Sequence, residues 1–261
     1  MQVKDLTSVI EEYAPLCLQE DYDNAGLICG DPGDEVSSVL ITLDVTEAVV
    51  DEAIVGKHNL IIAHHPLFIK GLKKIVPDNY IQRCIIKAIR HGINIYAAHT
   101  NMDAIANGVS GRMADKLNMT NRRILSPAAP GSQIGFGIIG DLDSPINTFE
   151  FLQAVKTAFN CKAIRYTDIS NIPQIKRVAV CGGSGASLLT SALTANADIY
   201  ISGDFKYHDF FNTEGKIVIA DIGHYESEQY TKDIFYELVT KKISKFAVQF
   251  SKVDTNPILY I

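Results

Sequence analysis

The strongest constraint this chain places on its own fold is an alternation of segments that occurs twice. Short apolar runs rich in β-branched residues are separated by longer amphipathic stretches. The first series is SVLITLD, a helix-like segment from Thr46 to Gly56, NLIIAHH, a second helix-like stretch from Asn79 to His91, and INIYAAHTNMD. The order returns in KRVAVCGG, a helix-like stretch from Ala186 to Asn196, ADIYISGD, a short helix around Phe205 to Phe211, and KIVIAD. Strands alternating with helices predict an α/β architecture. Their recurrence predicts two similar α/β domains from an internal duplication. Proline, glycine and serine concentrate in SPAAPGSQIG, from Ser126 to Gly135, which suits a boundary. The expected domains are therefore 1–125 and 126–241. The run KFAVQF and the tail DTNPILYI, within 242–261, are free to return to the first domain, and the sequence does not choose their sheet.

Length and composition narrow the class of protein. A chain of 261 residues has ample material for a hydrophobic core, and its 47% hydrophobic and 21% charged residues are ordinary for a soluble protein. No apolar run reaches the roughly 18 residues of a membrane span, and MQVKDLTSVIEEYAP lacks the apolar core of an export signal. A cytoplasmic protein is expected. The five cysteines are scattered without a C-x-x-C pair, which argues against disulfides and thiolate zinc sites. The net charge of -6, with no basic block, argues against a duplex nucleic acid partner.

Polar residues collect where each expected strand ends: Asp44, His64 and His65, His99 with Asp103, Gly203 with Asp204, and Asp221 with His224. That edge is where open α/β sheets bind ligands. Four of the seven histidines lie within a few residues of it. Pro66 biases His65 towards an extended backbone, so the adjacent imidazoles project differently and suit two neighbouring metals better than one. Asp103 and Glu228 are the natural bridges between such ions. His224 and Glu228 stand at i and i+4, on one face if GHYESE opens a helix. Taken singly, each has an ordinary reading as a surface pair or a cap. Their joint appearance at equivalent strand ends points to two divalent metals held by His64, His65, Asp103, His224 and Glu228. Zinc, iron, manganese and nickel all suit such a set.

Around these ligands, His99, Asp44 and His208 are candidate acids or bases. The loop CGGSG, with Gly182, Gly183 and Ser184, reads equally as a phosphate cradle or a tight turn, and it lacks a P-loop lysine. Lys206 is a second candidate substrate contact. His58 and His91, each ending a helix-like stretch, suit C-terminal dipole partners.

The motifs YDNAGLICGD, LDVT, IIAHHP, AAHTNMD, GGSGAS, SGDFKYHD and DIGHYESE together resemble the Nif-three-like dinuclear-metal family, whose members are named GTP cyclohydrolase I type 2 homologues. The resemblance runs nearly end to end, with Tyr22 where the family carries tryptophan. It implies the Nif-three-like fold, the same five metal ligands and a toroidal homohexamer without the domain that some relatives insert between the halves. For activity it implies a metal-dependent hydrolase acting on a nucleotide or related phosphorylated small molecule. The other open reading is a metal-binding or regulatory hexameric factor, such as a metal chaperone, that catalyses nothing.

Overall fold

A computed structural model describes residues 1–242 and 247–261. It divides into two compact units, one made of Met1–Met102 with Thr231–Pro257, the other of Asp103–Tyr230 with Ile258–Ile261. In chain order the elements begin with α1 (Val3–Tyr13), β1 (Gly26–Cys29), β2 (Ser38–Thr42), α2 (Glu47–Gly56), β3 (Leu60–Ala63), α3 (Tyr80–Arg90) and β4 (Asn94–Ala97). Next come α4 (Thr100–Asp103), α5 (Val109–Lys116), β5 (Thr120–Pro127), β6 (Gly135–Asn147), α6 (Thr148–Ala158), β7 (Arg165–Tyr166) and β8 (Gln174–Ser184). The series ends with α7 (Leu189–Thr194), β9 (Ile199–Gly203), β10 (Val218–Asp221), α8 (His224–Glu228), α9 (Thr231–Lys242) and β11 (Ala247–Phe250).

The first unit holds a five-stranded sheet ordered β1-β4-β3-β2-β11. Strands β2, β3 and β4 run parallel and bury every residue, so both their faces need cover. One face packs Leu40, Ile61 and Ile95 against Val49 and Ala53 of α2 and Cys84 and Ala88 of α3. Each such side chain contributes roughly 1.5–3 kcal/mol on leaving water. Both helices start on side-chain caps: Thr46 accepts from the Val49 amide and Asn79 from the Gln82 amide. The C-terminal strand β11 pairs in parallel with β2. The first two residues of KFAVQF lie outside the described residues.

The second unit holds a six-stranded sheet ordered β5-β6-β8-β9-β10-β7. Period-two alternation sends Val178 and Val180 to a core with Phe151, Val155 and Phe159 of the α6 region, and Ala179 to the opposite core with Tyr200 and Ala192. Strands β8, β9 and β10 are parallel, and β7 caps β10 in antiparallel fashion as β1 caps β4. The order β1-β4-β3-β2 thus recurs as β7-β10-β9-β8, with α1 and α6 preceding the capping strands. This is the duplicated α/β fold.

The two compact units divide between Met102 and Asp103. The proline-, glycine- and serine-rich stretch is the tip of the β5–β6 hairpin, where Pro127 pairs with Gly135 inside the second unit. Its composition marks a tight turn within a sheet. The tail also parts company with a single domain, because Ile258–Ile261 join the second unit. No described helix is long and apolar enough to cross a membrane, and all five cysteines are free.

Candidate metal centre

In the first unit the ends of β2, β3 and β4 bring Asp44, His64, His65 and His99 to one sheet edge. The amides of His64 and His65 both donate to the Leu43 carbonyl, at 3.2 and 3.0 Å, which fixes the backbone from which the two rings diverge. Their centroids lie 4.9 Å apart, and the His99 ring stands 5.4 Å from His64 and 5.5 Å from His65. One nitrogen from each of the three rings lies within 4.8 Å of the other two.

The other nitrogen of each ring is tied down. His64 Nδ1 is 2.8 Å from the Ala98 carbonyl, His65 Nδ1 is 2.7 Å from Asp44 Oδ1, and His99 Nδ1 is 2.8 Å from Asp23 Oδ1. A carbonyl or an ionised carboxylate only accepts, so each Nδ1 carries the proton and each Nε2 the lone pair that a metal takes. Asp23, its side chain fully buried, is itself held by the Thr100 amide at 3.0 Å, the Thr100 hydroxyl and the Asn24 amide at 2.7 Å. Burial alone would raise its carboxyl, but the hydrogen bonds from His99 and Thr100 outweigh that and hold it well below the usual carboxylate range. Asp44 is braced from behind by the Thr255 hydroxyl at 2.7 Å.

The second unit repeats the device. His224 and Glu228 fall one helical turn apart on α8, with His224 Nε2 3.0 Å from Glu228 Oε2, while His224 Nδ1 is 2.8 Å from Asp204 Oδ2. Glycine is required on two sides. A side chain at Gly203 would put its Cβ 2.7 Å from the His224 amide nitrogen, and one at Gly183, where φ is +63°, would put it 2.2 Å from Glu228 Oε1. Asp103 belongs to this unit as well. Burial pushes the Cys181 thiol up to about 12, and the Asp103 and Glu228 carboxylates add to the shift. Cys181 therefore stays a neutral thiol under two carboxylates rather than a thiolate ligand.

The remaining sequence candidates sit differently. Gly182, Gly183 and Ser184 end β8, and the amides are spent locally: Gly182 on Ser110, Gly183 on Ser227 and Gly185 on Ser202, at 3.3, 2.9 and 3.1 Å. The loop shapes the space around Glu228, whereas a phosphate cradle needs those amides for its anion. Lys206 and His208 are exposed on the turn after β9, the His208 ring lying against Tyr207 and Phe211. His58 is no surface dipole partner. It is buried against Ser38 at 2.6 Å, and burial, opposed by Glu52, lowers its pKa. Spacing missed Asp23, the carboxylate behind His99, although it opens the motif DNAGL, and it marked Asp204 at a strand end without the role the structure gives it behind His224.

In each unit the imidazole rings are fixed in the tautomer that presents Nε2, and in the second a carboxylate stands beside the ring, a donor chemistry that suits a borderline divalent metal. The family model described as Duf34/NIF3 (NGG1p interacting factor 3) matches residues 1–257. The chain belongs to this family. Among Duf34/NIF3 relatives, the GTP cyclohydrolase 1 type 2 homolog of Clostridium acetobutylicum is 35% identical over 230 residues, covering 87% of this chain and 85% of its own length. The homolog of Lactococcus lactis is 33% identical over 265 residues, 98% of each chain. The crystal structure of Staphylococcus aureus protein SA1388 superposes with a TM-score of 0.90 at 28% identity, covering 100% of this chain and 99% of the other. Members of the Duf34/NIF3 family thus share the duplicated α/β architecture across the whole described chain.

Proposed function

We propose that this chain is a dinuclear metal-dependent hydrolase acting on a nucleotide or related phosphorylated small molecule. His64 and His65 of the first unit and Asp103, His224 and Glu228 of the second are its ligands for two divalent ions. The observation that carries the reading is the anchoring of His64, His65, His99 and His224 through Nδ1. Such outer partners fix tautomer and aim in metal sites, and ordinary buried histidines have no need of four in common. When bound, a divalent cation lowers the pKa of water from 15.7 to roughly 7 and so supplies hydroxide at neutral pH.

The chain's own residues would divide the remaining work. Asp44 and Asp204 hold His65 and His224 in aim. His99 is placed to move a proton at Nε2, with the Asp23 carboxylate fixing its ring and tautomer through Nδ1. The names of the relatives support hydrolytic chemistry on a nucleotide. One observation favours the non-catalytic alternative, a metal-binding or regulatory factor. Asp44 is already bonded to both His65 and Thr255, which leaves His99 as the acid or base candidate at the first unit's strand ends.

Turnover decides between the two. Protein reconstituted with zinc, iron, manganese or nickel is to be screened against nucleotides, phosphoesters and pterin precursors. Hydrolysis that vanishes on metal removal is the expected result, and no turnover anywhere would leave the binding factor standing. His65→Ala and Glu228→Ala should lose metal by elemental analysis; a full complement in both would overturn the ligand set. We further propose a cytoplasmic toroidal homohexamer, which closed symmetry allows through two kinds of subunit contact. Light scattering should give six times the chain mass, and a concentration-independent monomer would refute it.

A further inference from the structure

Within the first unit, a cavity of about 630 Å³ reaches Asn94, the first residue of β4, whereas His99 follows the last. Its apolar walls are Ile28 of β1, Ile85 and Ile89 of α3, and Phe68, Leu72 and Ile75 of the segment between β3 and α3. The volume falls within the roughly 300–1,000 Å³ of pockets that enclose small ligands. Ile85 and Ile89 stand one turn apart on one face of α3, yet Ile85 is buried while Ile89 and Ile75 are 59% and 53% exposed. The wall therefore runs out of the core into water, and an apolar occupant removes that area from it.

The polar part of the lining is anionic. Asn94, wholly buried, clamps two acids there: its Oδ1 accepts from the Asp31 amide at 2.8 Å, and its Nδ2 donates to Asp34 Oδ2 at 3.1 Å. The backbone approaches so closely that a Cβ at Gly30 would lie 1.9 Å from Asn94 Oδ1. Asp31 Oδ1 takes the Gly33 amide at 2.7 Å. Among the described residues, Asp31 Oδ2 and Asp34 Oδ1 accept from no donor, and neither acid is in an ion pair. The described lining carries no lysine or arginine. Two uncompensated carboxylates beside an apolar wall repel a carboxylate or phosphate head and attract a cationic one.

We propose that this cavity binds an apolar amine, a small molecule with a hydrocarbon body that ends in a protonated amino group. The body lies on Ile28, Ile85, Ile89 and Ile75, and the ammonium donates to Asp31 Oδ2 and Asp34 Oδ1. An alcohol of the same length keeps the body and loses the charge pairing. A fatty carboxylate of that length meets repulsion. None of the candidate metal ligands takes part, so the site stands independently of the hydrolase reading.

Calorimetry on the metal-loaded full chain at neutral pH tests it, with octylamine, octanol and octanoate as probes. Two exposed charge pairs should favour octylamine over octanol about threefold to tenfold, and over octanoate by more. Hexylamine, two methylenes shorter, should bind roughly tenfold more weakly than octylamine. Raising salt from about 0.05 to about 0.5 M should shrink the preference for the amine. Asp31 and Asp34 are exposed, so Asp31→Asn with Asp34→Asn should erase that preference while octanol binding and metal content hold. Ile89→Ser should weaken all three probes. Octylamine should also slow alkylation of Cys29, which lines the cavity, and leave the exposed Cys17 unaffected. Equal binding of octylamine and octanoate, a preference that survives the double substitution, wild-type affinity in Ile89→Ser, unchanged Cys29 alkylation, or no binding of any probe would overturn the proposal.

Discussion

Gly183→Ala should cripple the metal centre while leaving the sheet that carries it folded. The new Cβ would lie 2.2 Å from Glu228 Oε1 and 3.1 Å from its Cδ. Ordinary non-bonded separations are about 3.5 Å, so the carboxylate must retreat by roughly 1 Å. Glu228 is buried, which limits the room for retreat. The left-handed backbone at φ +63° adds roughly 1–2 kcal/mol of strain for any residue with a Cβ. That strain should lower Tm by about 2–8 °C in a protein of this size. Gly182→Ala is the matched control. Its Cβ would meet Val109 Cγ1 at 2.5 Å but would be 3.4 Å from Glu228 Cγ, an ordinary contact. Overpacking there costs about 1–3 kcal/mol, so both variants should melt earlier. Competition against a chelating dye then separates them, with metal affinity falling about 10–100-fold in Gly183→Ala and little in Gly182→Ala. Wild-type affinity in Gly183→Ala, or equal loss in both, would show that Glu228 is not held where a metal needs it.

Asp204→Ala removes the carboxylate behind His224 without touching a ligand atom. Metal affinity should drop about 10–100-fold by the same competition assay with the circular dichroism spectrum preserved, and an unchanged affinity would mean that the ring is aimed by something else. His58 predicts a pH dependence remote from the metals. Burial holds its folded pKa below the ordinary value, so below about pH 6.5 the unfolded chain takes up a proton that the folded chain refuses. Its contribution is nil above about pH 7 and destabilising as pH falls through about 6.5. Urea midpoints of metal-free protein should therefore fall less between about pH 7.5 and 5.5 in His58→Gln than in wild type; equal falls would contradict the burial argument.

The parallel strands were legible because each is a short, wholly apolar run ended by a polar residue, as in Leu60–Ala63 before His64. The candidate ligands His64, His65 and His224 stand out for the same reason, since each lies where such a run stops. The antiparallel additions were not. Strand β6 carries Asp141, Asp143 and Pro145 in its second half, and β7 spans two exposed residues, so neither shows a hydrophobic period. The unit boundary at Met102 falls inside α4, without a proline or glycine to mark it. Asp23 lies far upstream of His99, and their bond exists only because β1 and β4 pair at the sheet edge. Spacing along the chain carries no trace of that contact.

The first unit is assembled from both ends of the chain, and this imposes an order on its synthesis. Residues 103–230 leave the ribosome as one continuous stretch, whereas β2 waits for β11 and α1 for α9. At roughly 5–20 residues per second the delay is on the order of ten seconds. Throughout that interval β2 presents an apolar open edge, a template for pairing with other nascent chains. When β11 arrives, the exposed edge becomes a four-residue strand that is itself largely in solvent, a shape that templates poorly. Slow release or premature termination near the C-terminus should accordingly produce aggregates seeded by the earliest-made sheet.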